Sequence, residues 1–233
     1  MIKLLISDLD DTLYDWTGFF VPAFYAMADE IARMTGIDEK KLLNEYMAAH
    51  QRLGSVEYPY ATLELPSIKA YYNNAPAEEM KAALRPAFNV FNSVRESHLH
   101  LLPGVEEMLR ALTEMGVTLI AYTESSKENG FYRLMKLGIE PYFKHVYTFE
   151  SQFKSAYAVS EKVRTVQTKK PDVAVIERIC TGEGYDKSEV MYLGDNLTKD
   201  MYMAKMAGVT AVWMHRKCEN EDYKNKLLAI TSW

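Results

Sequence analysis

The chain has 233 residues, of which 48% are hydrophobic and 25% charged, and its net charge at pH 7 is −5. This composition is that of an ordinary globular protein, and the negative charge argues against nucleic acid as the main partner, because binding phosphate backbones requires a positive surface. No apolar run approaches the roughly 18 residues of a membrane span, and Cys180 and Cys218 have neither a disulfide nor a metal spacing. These features predict a cytoplasmic protein with no membrane partner.

The N-terminal segment is a short apolar run, "IKLLIS" at residues 2–7, which Asp8 ends. A run without polar alternation is typical of a strand that is buried on both faces of a parallel sheet. The run is also too short for a signal peptide. We therefore predict a buried strand whose carboxyl end lies at Asp8.

The next block, residues 15–97, has helical periodicity and no clear strand pattern. The segment "WTGFFVPAFYAMADEIARMTG" places large apolar residues at steps of three and four and ends at Gly36, a favourable C-cap. The segment "DEKKLLNEYMAAHQRLG" repeats this pattern between Asp38, a predicted N-cap, and Gly54. The segment "APAEEMKAALRPAFNVFNSVRES" is helical again, with Pro86 as a kink or break. The block is therefore predicted to be all helical.

After "LLPG" the sequence alternates between helical and strand patterns. The strand segments are "VTLIAYT", "KHVYTF", "EVMYLGD" and "TAVWMH", and a helical segment precedes each. Four such alternations with short links predict a parallel sheet with helices on both faces. The N-terminal strand is expected in the same sheet. The prediction is an α/β protein with a Rossmann-like core, residues 1–14 and 98–233, and an inserted α-helical cap, residues 15–97.

Two carboxylates follow the first predicted strand. Asp8 and Asp10 are two residues apart, so in an extended chain both side chains point to the same side. Like charges forced together repel one another unless a cation compensates. A hard divalent cation with oxygen ligands would do so, and Mg²⁺ is usually held by a few carboxylates together with substrate oxygens and water. The pair therefore predicts a Mg²⁺ site.

Polar groups also mark three other predicted segments. Thr123 ends "VTLIAYT", with "ESSKENG" opening a helix behind it, and a hydroxyl beside free N–H groups at a helix N-terminus suits an anion. Asp195 ends "EVMYLGD" and Asp200 starts the next helix, while Lys170, before Pro171, supplies a positive charge. Since ligands of parallel sheets lie beyond the carboxyl ends of the strands, these groups predict a metal-assisted phosphate site.

The first of these motifs resembles that of the haloacid dehalogenase-like (HAD) hydrolases. Their D-x-D-x-T sequence at the end of the first strand is matched by Asp8, Asp10 and Thr12 in "DLDDTL". The segment "LGIEPYF" is also similar to the family's link between a helix and its third strand. The resemblance covers the whole chain, with the helical block placed like the family's cap after the first motif.

The other three family motifs follow in order. Thr123 matches the Ser or Thr that ends a strand, and Lys170 in "KKPD" matches the lysine. Gly194, Asp195 and Asp200 in "GDNLTKD" match the acidic motif of G-D-x-x-x-x-D type. Each motif alone is weak, whereas four in order at predicted strand ends indicate the family.

The resemblance implies a role for each of these residues. Asp8 is the expected nucleophile, which attacks phosphorus to form an aspartyl-phosphate that water then hydrolyses. Asp10 is expected to protonate the leaving oxygen and later to activate the water. Thr123 and Lys170 are expected to hold the phosphoryl oxygens. The implied Mg²⁺ ligands are Asp8, the main-chain carbonyl of Asp10, Asp195 and, in support, Asp200.

Two features depart from the family pattern. Glu124 follows Thr123 where the family usually has Asn or Gly, and its carboxylate is expected to turn away from the anion site, to meet a cation, or to contact substrate. The stretch that precedes Lys170 is longer than is usual in the family. Lys169 is therefore the main alternative for the site lysine, with Lys162 and Lys154 as remote ones.

The resulting functional prediction is a Mg²⁺-dependent phosphatase that acts on a small phosphorylated metabolite, either a nucleoside monophosphate or a sugar phosphate. Two alternatives stay open: a phosphotransferase or phosphomutase with the same intermediate, and a non-catalytic binding or regulatory protein. Dehalogenation is disfavoured by Asp10, because family members that act on carbon–halogen bonds lack an acid at that position. The sequence gives no prediction for the oligomeric state.

Overall fold

In a computed structural model of the protein, residues 1–58, 60–150, 160–215 and 220–231 are described. Six strands within these ranges form one sheet in the order β4-β3-β2-β1-β5-β6, and every neighbouring pair is parallel. The strands are β1 (Leu4–Ser7), β2 (Thr118–Ser126), β3 (His145–Phe149), β4 (Val163–Val166), β5 (Val190–Gly194) and β6 (Thr210–Trp213).

Ten α-helices are present in the described ranges, together with several single turns of tighter or wider helix. Five of them belong to the predicted helical block: α1 (Trp16–Thr35), α2 (Glu39–Leu53), α3 (Pro66–Tyr71), α4 (Ala77–Ala83) and α5 (Arg85–His98). The others are α6 (Val105–Glu114), α7 (Lys127–Lys136), α8 (Val173–Glu183), α9 (Tyr202–Ala207) and α10 (Glu221–Ala229).

Strand β1 is one of the two middle strands of the sheet, between β2 and β5, and its four residues are buried. Neighbouring side chains of β2 face opposite sides, as the two-residue period requires. Ile120 and Tyr122 lie in an apolar cluster with α8 and α9, whereas α7 packs against the side chain of Thr123 on the other side. Helices therefore cover both faces, which confirms the predicted α/β class and places the carboxyl ends of β1, β2 and β5 along one edge.

Two parts of the sheet differ from the sequence-based prediction. Strand β2 was expected to end at Thr123 but continues to Ser126, with an irregular register against β3 after Tyr122. Strand β4 was not predicted, because "VRTV" is short, partly exposed and only weakly apolar. It pairs with β3 and is one of the two edge strands of the sheet.

The described residues divide into two compact units. The first contains the sheet and joins Met1–Asp15 to residues 100–215; the second is helical and joins Trp16–Leu99 to residues 220–231. The sequence-based division placed residues 98–233 in the core, whereas α10 contacts α1 and α2 of the helical unit. Within that unit the Tyr25 hydroxyl donates to the carbonyl of Lys226, and His50 Nδ1 lies 3.0 Å from the carbonyl oxygen of Ile230.

The ends of the predicted helices follow from capping residues. The side chain of Asp38 accepts a hydrogen bond from the N–H of Lys41 at the start of α2, and Gly54 ends that helix in the left-handed conformation. Pro86 lies in the first turn of α5, where its missing N–H costs no helical hydrogen bond. The predicted break before it is therefore the boundary between α4 and α5.

Within the ranges that the structure describes, none of the helices combines the length and apolar character needed to cross a membrane.

Candidate active site

Asp8 directly follows β1, at the carboxyl edge of the sheet. Its backbone N–H donates to the carbonyl of Leu193 on β5 at 2.8 Å, which continues the strand pairing one residue further. Its Oδ2 accepts a hydrogen bond from the Thr12 hydroxyl at 3.0 Å, and the side chain is buried. The strand end and the following turn thus fix the orientation of this carboxylate.

Lys170 joins two of the predicted acidic residues. Its Nζ lies 2.5 Å from Oδ1 of Asp8 and 2.9 Å from Oδ1 of Asp200, and all three side chains are buried. The Tyr192 hydroxyl donates to the same oxygen of Asp200 at 2.8 Å. The ring of Tyr122 lies 4.8 Å from Nζ, within the range of a cation–π contact. Lys170 is therefore held by two carboxylates and an aromatic ring.

Three carboxylates lie close together at this edge. Asp8, Asp195 and Asp200 each offer an oxygen, and these oxygens lie within 4.8 Å of one another. An all-oxygen set of this kind fits the ligand preference of Mg²⁺. Burial, followed by the charges of Asp200 and Asp11, raises the pKa of Asp195 to about 6, as expected for carboxylates that share a site. The electrostatics of the group therefore favour an added cation.

The pKa values of the buried pair reflect the same crowding. Burial raises the pKa of the Asp8 carboxyl well above its usual value; Lys170 opposes this shift, while Asp200 and Asp10 add to it. Burial alone would lower the pKa of Lys170, but the charges of Asp8, Tyr192 and Asp200 together raise it well above its usual value. The lysine is therefore charged at neutral pH, and an additional cation would stabilise the ionised form of Asp8.

Gly194 is required by the position of Asp200. A Cβ atom on this glycine would lie 2.5 Å from Cγ and 2.6 Å from Cβ of Asp200, well inside van der Waals contact. The Oδ2 of Asp200 also accepts a hydrogen bond from the N–H of Asn196 at 3.2 Å. Only glycine at position 194 lets the turn fold back far enough to bring Asp200 beside Lys170.

Asp10 lies in a second polar cluster. Its Oδ1 accepts from Nη1 of Arg133 at 2.9 Å, and its Oδ2 accepts from the hydroxyls of Ser125 at 2.8 Å and Thr123 at 3.3 Å. The carboxylate of Asp10 is thus hydrogen-bonded at both oxygens. The metal ligand that the sequence predicts at Asp10 is its main-chain carbonyl oxygen, not its carboxylate.

The surroundings of Thr123 differ from the predicted helix N-terminus. Thr123 is an interior residue of β2, and α7 begins only at Lys127, with Ser126 as its N-cap. The Thr123 hydroxyl accepts a hydrogen bond from the N–H of Ser125 at 3.0 Å and donates to Asp10. The hydroxyl therefore lies at the edge of the Asp10 cluster, and its role as a phosphate ligand stays a prediction.

Glu124 meets a cation. Its Oε2 lies 2.5 Å from Nζ of Lys199, which belongs to the acidic-motif segment, and both side chains are partly exposed. Of the three outcomes expected for a carboxylate next to the anion site, the structure shows the ion pair with a cation. The positive charge of Lys199 offsets the negative charge that Glu124 adds at this edge.

The alternative lysines lie elsewhere. Lys169 Nζ is 5.7 Å from the centre of the Phe149 ring, and Lys162 pairs with Glu140 at 2.7 Å. Lys154 lies outside the described residues. Of the described candidates, Lys170 is therefore the one that the structure brings to Asp8.

Sequence reasoning missed Arg133, Ser125 and Tyr192. Arg133 lies on α7 at the face that also carries Gly130 and Leu134, and all three are buried. The one signal in the sequence for Arg133 was that this charged residue shares a helix face with uncharged residues, which is unusual for an exposed arginine. Ser125 and Tyr192 carried none, because a serine after a strand and a tyrosine within one are common without a function.

The sequence profile of the family described as haloacid dehalogenase-like hydrolase matches residues 5–214. Together with the parallel sheet and the aspartates beyond its strands, this match shows that the chain belongs to the haloacid dehalogenase-like hydrolase family. The protein is thus an enzyme of the hydrolase class, and the resemblance noted from its motifs is confirmed.

Several named proteins are similar to this chain. The glyceraldehyde 3-phosphate phosphatase of Pyrococcus abyssi is 26% identical over an alignment of 224 positions, which covers 91% of this chain and 81% of that protein. The phosphoserine phosphatase of Thermus thermophilus is 24% identical over an alignment of 246 positions, which covers 95% of this chain and 92% of that protein. The crystal structure of a 2-haloacid dehalogenase from Pseudomonas syringae aligns over 95% of this chain and 91% of its own, with a TM-score of 0.61 and 22% identity. That structural likeness supports the fold.

Proposed function

We propose that the protein is a Mg²⁺-dependent phosphatase that hydrolyses a small phosphorylated metabolite through an aspartyl-phosphate on Asp8. The observation that carries this proposal is the buried contact of Asp8 with Lys170, 2.5 Å apart, beside the carboxylates of Asp195 and Asp200. A carboxylate held next to a fixed positive charge and an oxygen-lined cation site has what covalent phosphoryl transfer requires.

Asp8 acts as the nucleophile in this proposal. Thr12 donates to one of its oxygens and Lys170 contacts the other, so the carboxylate has one orientation in the site. The oxygen that attacks phosphorus must be ionised, and Lys170 favours that form. Holding the attacking oxygen in place lowers the entropic cost of reaching the transition state.

The charge of the transferring phosphoryl group requires positive partners. Lys170 is buried and charged, and its Nζ contacts the carboxylate of the proposed nucleophile, where it would also meet an oxygen of the phosphoryl group. Asp8, Asp195, Asp200 and the main-chain carbonyl of Asp10 would hold the cation. When bound, Mg²⁺ would neutralise charge on the phosphoryl oxygens and orient the group for attack. Such preorganised charge is the main contribution to catalysis in phosphoryl transfer.

Asp10 supplies the acid and base of the proposed reaction. It would protonate the leaving oxygen in the first step and accept a proton from water in the second. Its side chain keeps about a quarter of its surface exposed, so it can exchange protons with solvent between the steps. An acid at this position favours an alkoxide leaving group over a halide, which needs no proton.

The substrate class is narrowed by relatives that are named as phosphatases of glyceraldehyde 3-phosphate and of phosphoserine. Both compounds are three-carbon phosphomonoesters. We therefore place sugar phosphates of about this size ahead of nucleoside monophosphates as the substrate class for this chain.

The test is phosphate release from a panel that contains glyceraldehyde 3-phosphate, phosphoserine, a hexose phosphate and a nucleoside monophosphate, with and without Mg²⁺. The wild type is compared with Asp8→Asn and with the control Asp29→Asn, which changes an exposed carboxylate on α1. We expect Mg²⁺-dependent release that Asp8→Asn abolishes and Asp29→Asn preserves. Equal amounts of phosphate and free alcohol identify hydrolysis, whereas a phosphorylated second sugar identifies a phosphotransferase.

Failure to turn over any compound is followed by a binding test with beryllium fluoride, a mimic of the aspartyl-phosphate. Mg²⁺-dependent binding that Asp8→Asn removes would retain the proposed chemistry and move the search to other phosphomonoesters. No turnover and no binding by the folded protein would contradict the enzyme proposal.

A further inference from the structure

The cluster around Asp10 contains a buried arginine that the proposed reaction does not yet use. Nη1 of Arg133 donates both to Oδ1 of Asp10 at 2.9 Å and to the hydroxyl oxygen of Ser125 at 2.8 Å. The Ser125 hydroxyl in turn donates to Oδ2 of Asp10 at 2.8 Å. Arg133 therefore contacts the carboxylate directly and also through the serine.

The burial of this arginine is costly. Only 4% of its side-chain surface is exposed, and a guanidinium without a hydrated surface needs charged or polar partners to offset the lost solvation. Tyr14, which is fully buried, lies in the same cluster: burial raises the pKa of its hydroxyl well above the usual value, and the charge of Asp10 adds to this. Asp10 and Arg133 thus belong to one polar cluster, which also contains the buried hydroxyl of Tyr14.

Helix α7 is brought close to this cluster by a glycine. A Cβ atom on Gly130 would lie 3.2 Å from Cγ2 of Thr123 and 3.7 Å from Cβ of Ser125. The helix can therefore approach β2 closely, and Arg133, three residues further along α7, reaches Asp10 at the end of β1. The close packing of α7 on β2 therefore sets the distance between the guanidinium of Arg133 and the carboxylate of Asp10.

We propose that Arg133 is a positioning residue for Asp10, holding its carboxylate, together with Ser125, in the orientation from which it exchanges a proton with the leaving oxygen. This inference rests on the proposed phosphatase function. It follows from the geometry because an aspartate side chain without partners can adopt several rotamers, whereas donors on both oxygens restrict Asp10 to one arrangement. A proton donor out of place by a fraction of an ångström transfers its proton poorly.

The proposal makes a specific kinetic prediction. kcat/KM reports the steps up to formation of the phosphoenzyme, and the need for a proton in those steps depends on the leaving group. Arg133→Met is expected to lower kcat/KM about 10- to 100-fold for an alkyl phosphate. For 4-nitrophenyl phosphate, whose leaving oxygen departs without a proton, the same variant is expected to change kcat/KM less than threefold.

A double-mutant comparison separates positioning from a structural role. If Arg133 acts through Asp10, Arg133→Met added to Asp10→Asn should cause no further loss of kcat/KM on the alkyl phosphate. Arg133→Lys keeps a charged donor and should recover part of the activity. Arg178→Met, at an exposed arginine of α8, is the matched control and should leave both substrates unaffected.

Equal losses on the two substrates, multiplied in full on the Asp10→Asn background, would overturn the proposal and leave Arg133 a purely structural residue. Should Arg133→Met fail to fold, Ser125→Ala decides: it removes one donor to Asp10 with little change of volume, and it must show the same dependence on the leaving group. A folded wild type that turns over neither substrate and does not bind beryllium fluoride would instead refute the phosphatase function on which the inference depends.

Discussion

Replacing Gly194 with alanine tests whether the acidic motif must fold back on itself. The added Cβ would lie 2.5–2.7 Å from three side-chain atoms of Asp200, whereas carbon atoms pack at about 3.5–4.0 Å. Asp200 must therefore retreat by about 1 Å. Because its own Cβ is among the clashing atoms, rotation of the carboxylate cannot relieve the overlap, and the turn from Asp195 to Asp200 has to move.

The size of the effect follows from what Asp200 contacts. It accepts hydrogen bonds from Lys170, Tyr192 and the N–H of Asn196 within a buried site. Overpacking costs about 1–3 kcal/mol, and losing one of the charge-assisted bonds about 1.5–3 kcal/mol. A combined loss of about 2.5–6 kcal/mol corresponds to a decrease in Tm of about 5–24 °C for a chain of this length. The same shift should weaken Mg²⁺ binding about 10- to 100-fold.

The assay is thermal unfolding with and without Mg²⁺, with Gly182→Ala as the matched control. Gly182 lies inside α8, and a Cβ there would meet nothing within 4 Å, so alanine should leave Mg²⁺ binding unchanged and raise stability by about 0.5–1 kcal/mol. If Gly194→Ala has the Tm and the Mg²⁺ response of the control, the account of the folded-back turn is wrong.

Three further predictions concern charge. Because burial and neighbouring carboxylates raise the pKa of Asp195 to about 6, protons compete with the cation below about that pH; calorimetric titration should show Mg²⁺ affinity falling about tenfold per pH unit there. Glu124→Gln removes the carboxylate paired with Lys199, so KM for a phosphorylated substrate should fall about two- to fivefold at low salt and converge with the wild type at high salt. Burial lowers the pKa of His50 in the folded protein, so as pH falls below about 6.5 the imidazole takes up a proton in the unfolded chain before it does so in the folded one. The free energy of unfolding of the helical unit, measured with urea, should therefore decrease below that pH, and it should decrease less in His50→Gln.

The parts of the site that could be predicted are those with local patterns. Asp8 and Asp10 follow a short apolar run, and Gly194 and Asp195 follow another, so parallel topology alone brings their strand ends to one edge. The five-residue spacing from Asp195 to Asp200 is likewise visible in the sequence. These residues needed no knowledge of side-chain packing.

The parts that could not be predicted depend on contacts between distant residues. Asp10 meets Arg133 across 123 positions, and an arginine in a helix ordinarily marks an exposed face. The docking of the C-terminal segment on the helical unit, where the carbonyl oxygen of Ile230 lies 3.0 Å from Nδ1 of His50, spans 180 positions. Strand β4 is stabilised by pairing with β3 rather than by an apolar pattern of its own.

The extent of β2 shows how tertiary pairing overrides a local signal. The sequence places a helix start at "ESSKENG", and Ser126 does cap α7. The three residues before that cap nevertheless stay extended, and this extension carries Ser125 to Asp10. The strand boundary therefore matters for function, because a helix starting directly after Thr123 would remove the serine from the cluster.

The most direct test of the central claim is to locate the phosphoryl group during turnover. The protein is mixed with substrate and Mg²⁺, quenched in acid, and its peptides are analysed by mass spectrometry. The account predicts one phosphorylated peptide, modified at Asp8, which is absent in Asp8→Asn and accumulates in Asp10→Asn when an activated aryl phosphate is the substrate, because the base for the second step is missing. Sustained turnover in Asp8→Asn, or a phosphoryl group on another residue, would contradict it.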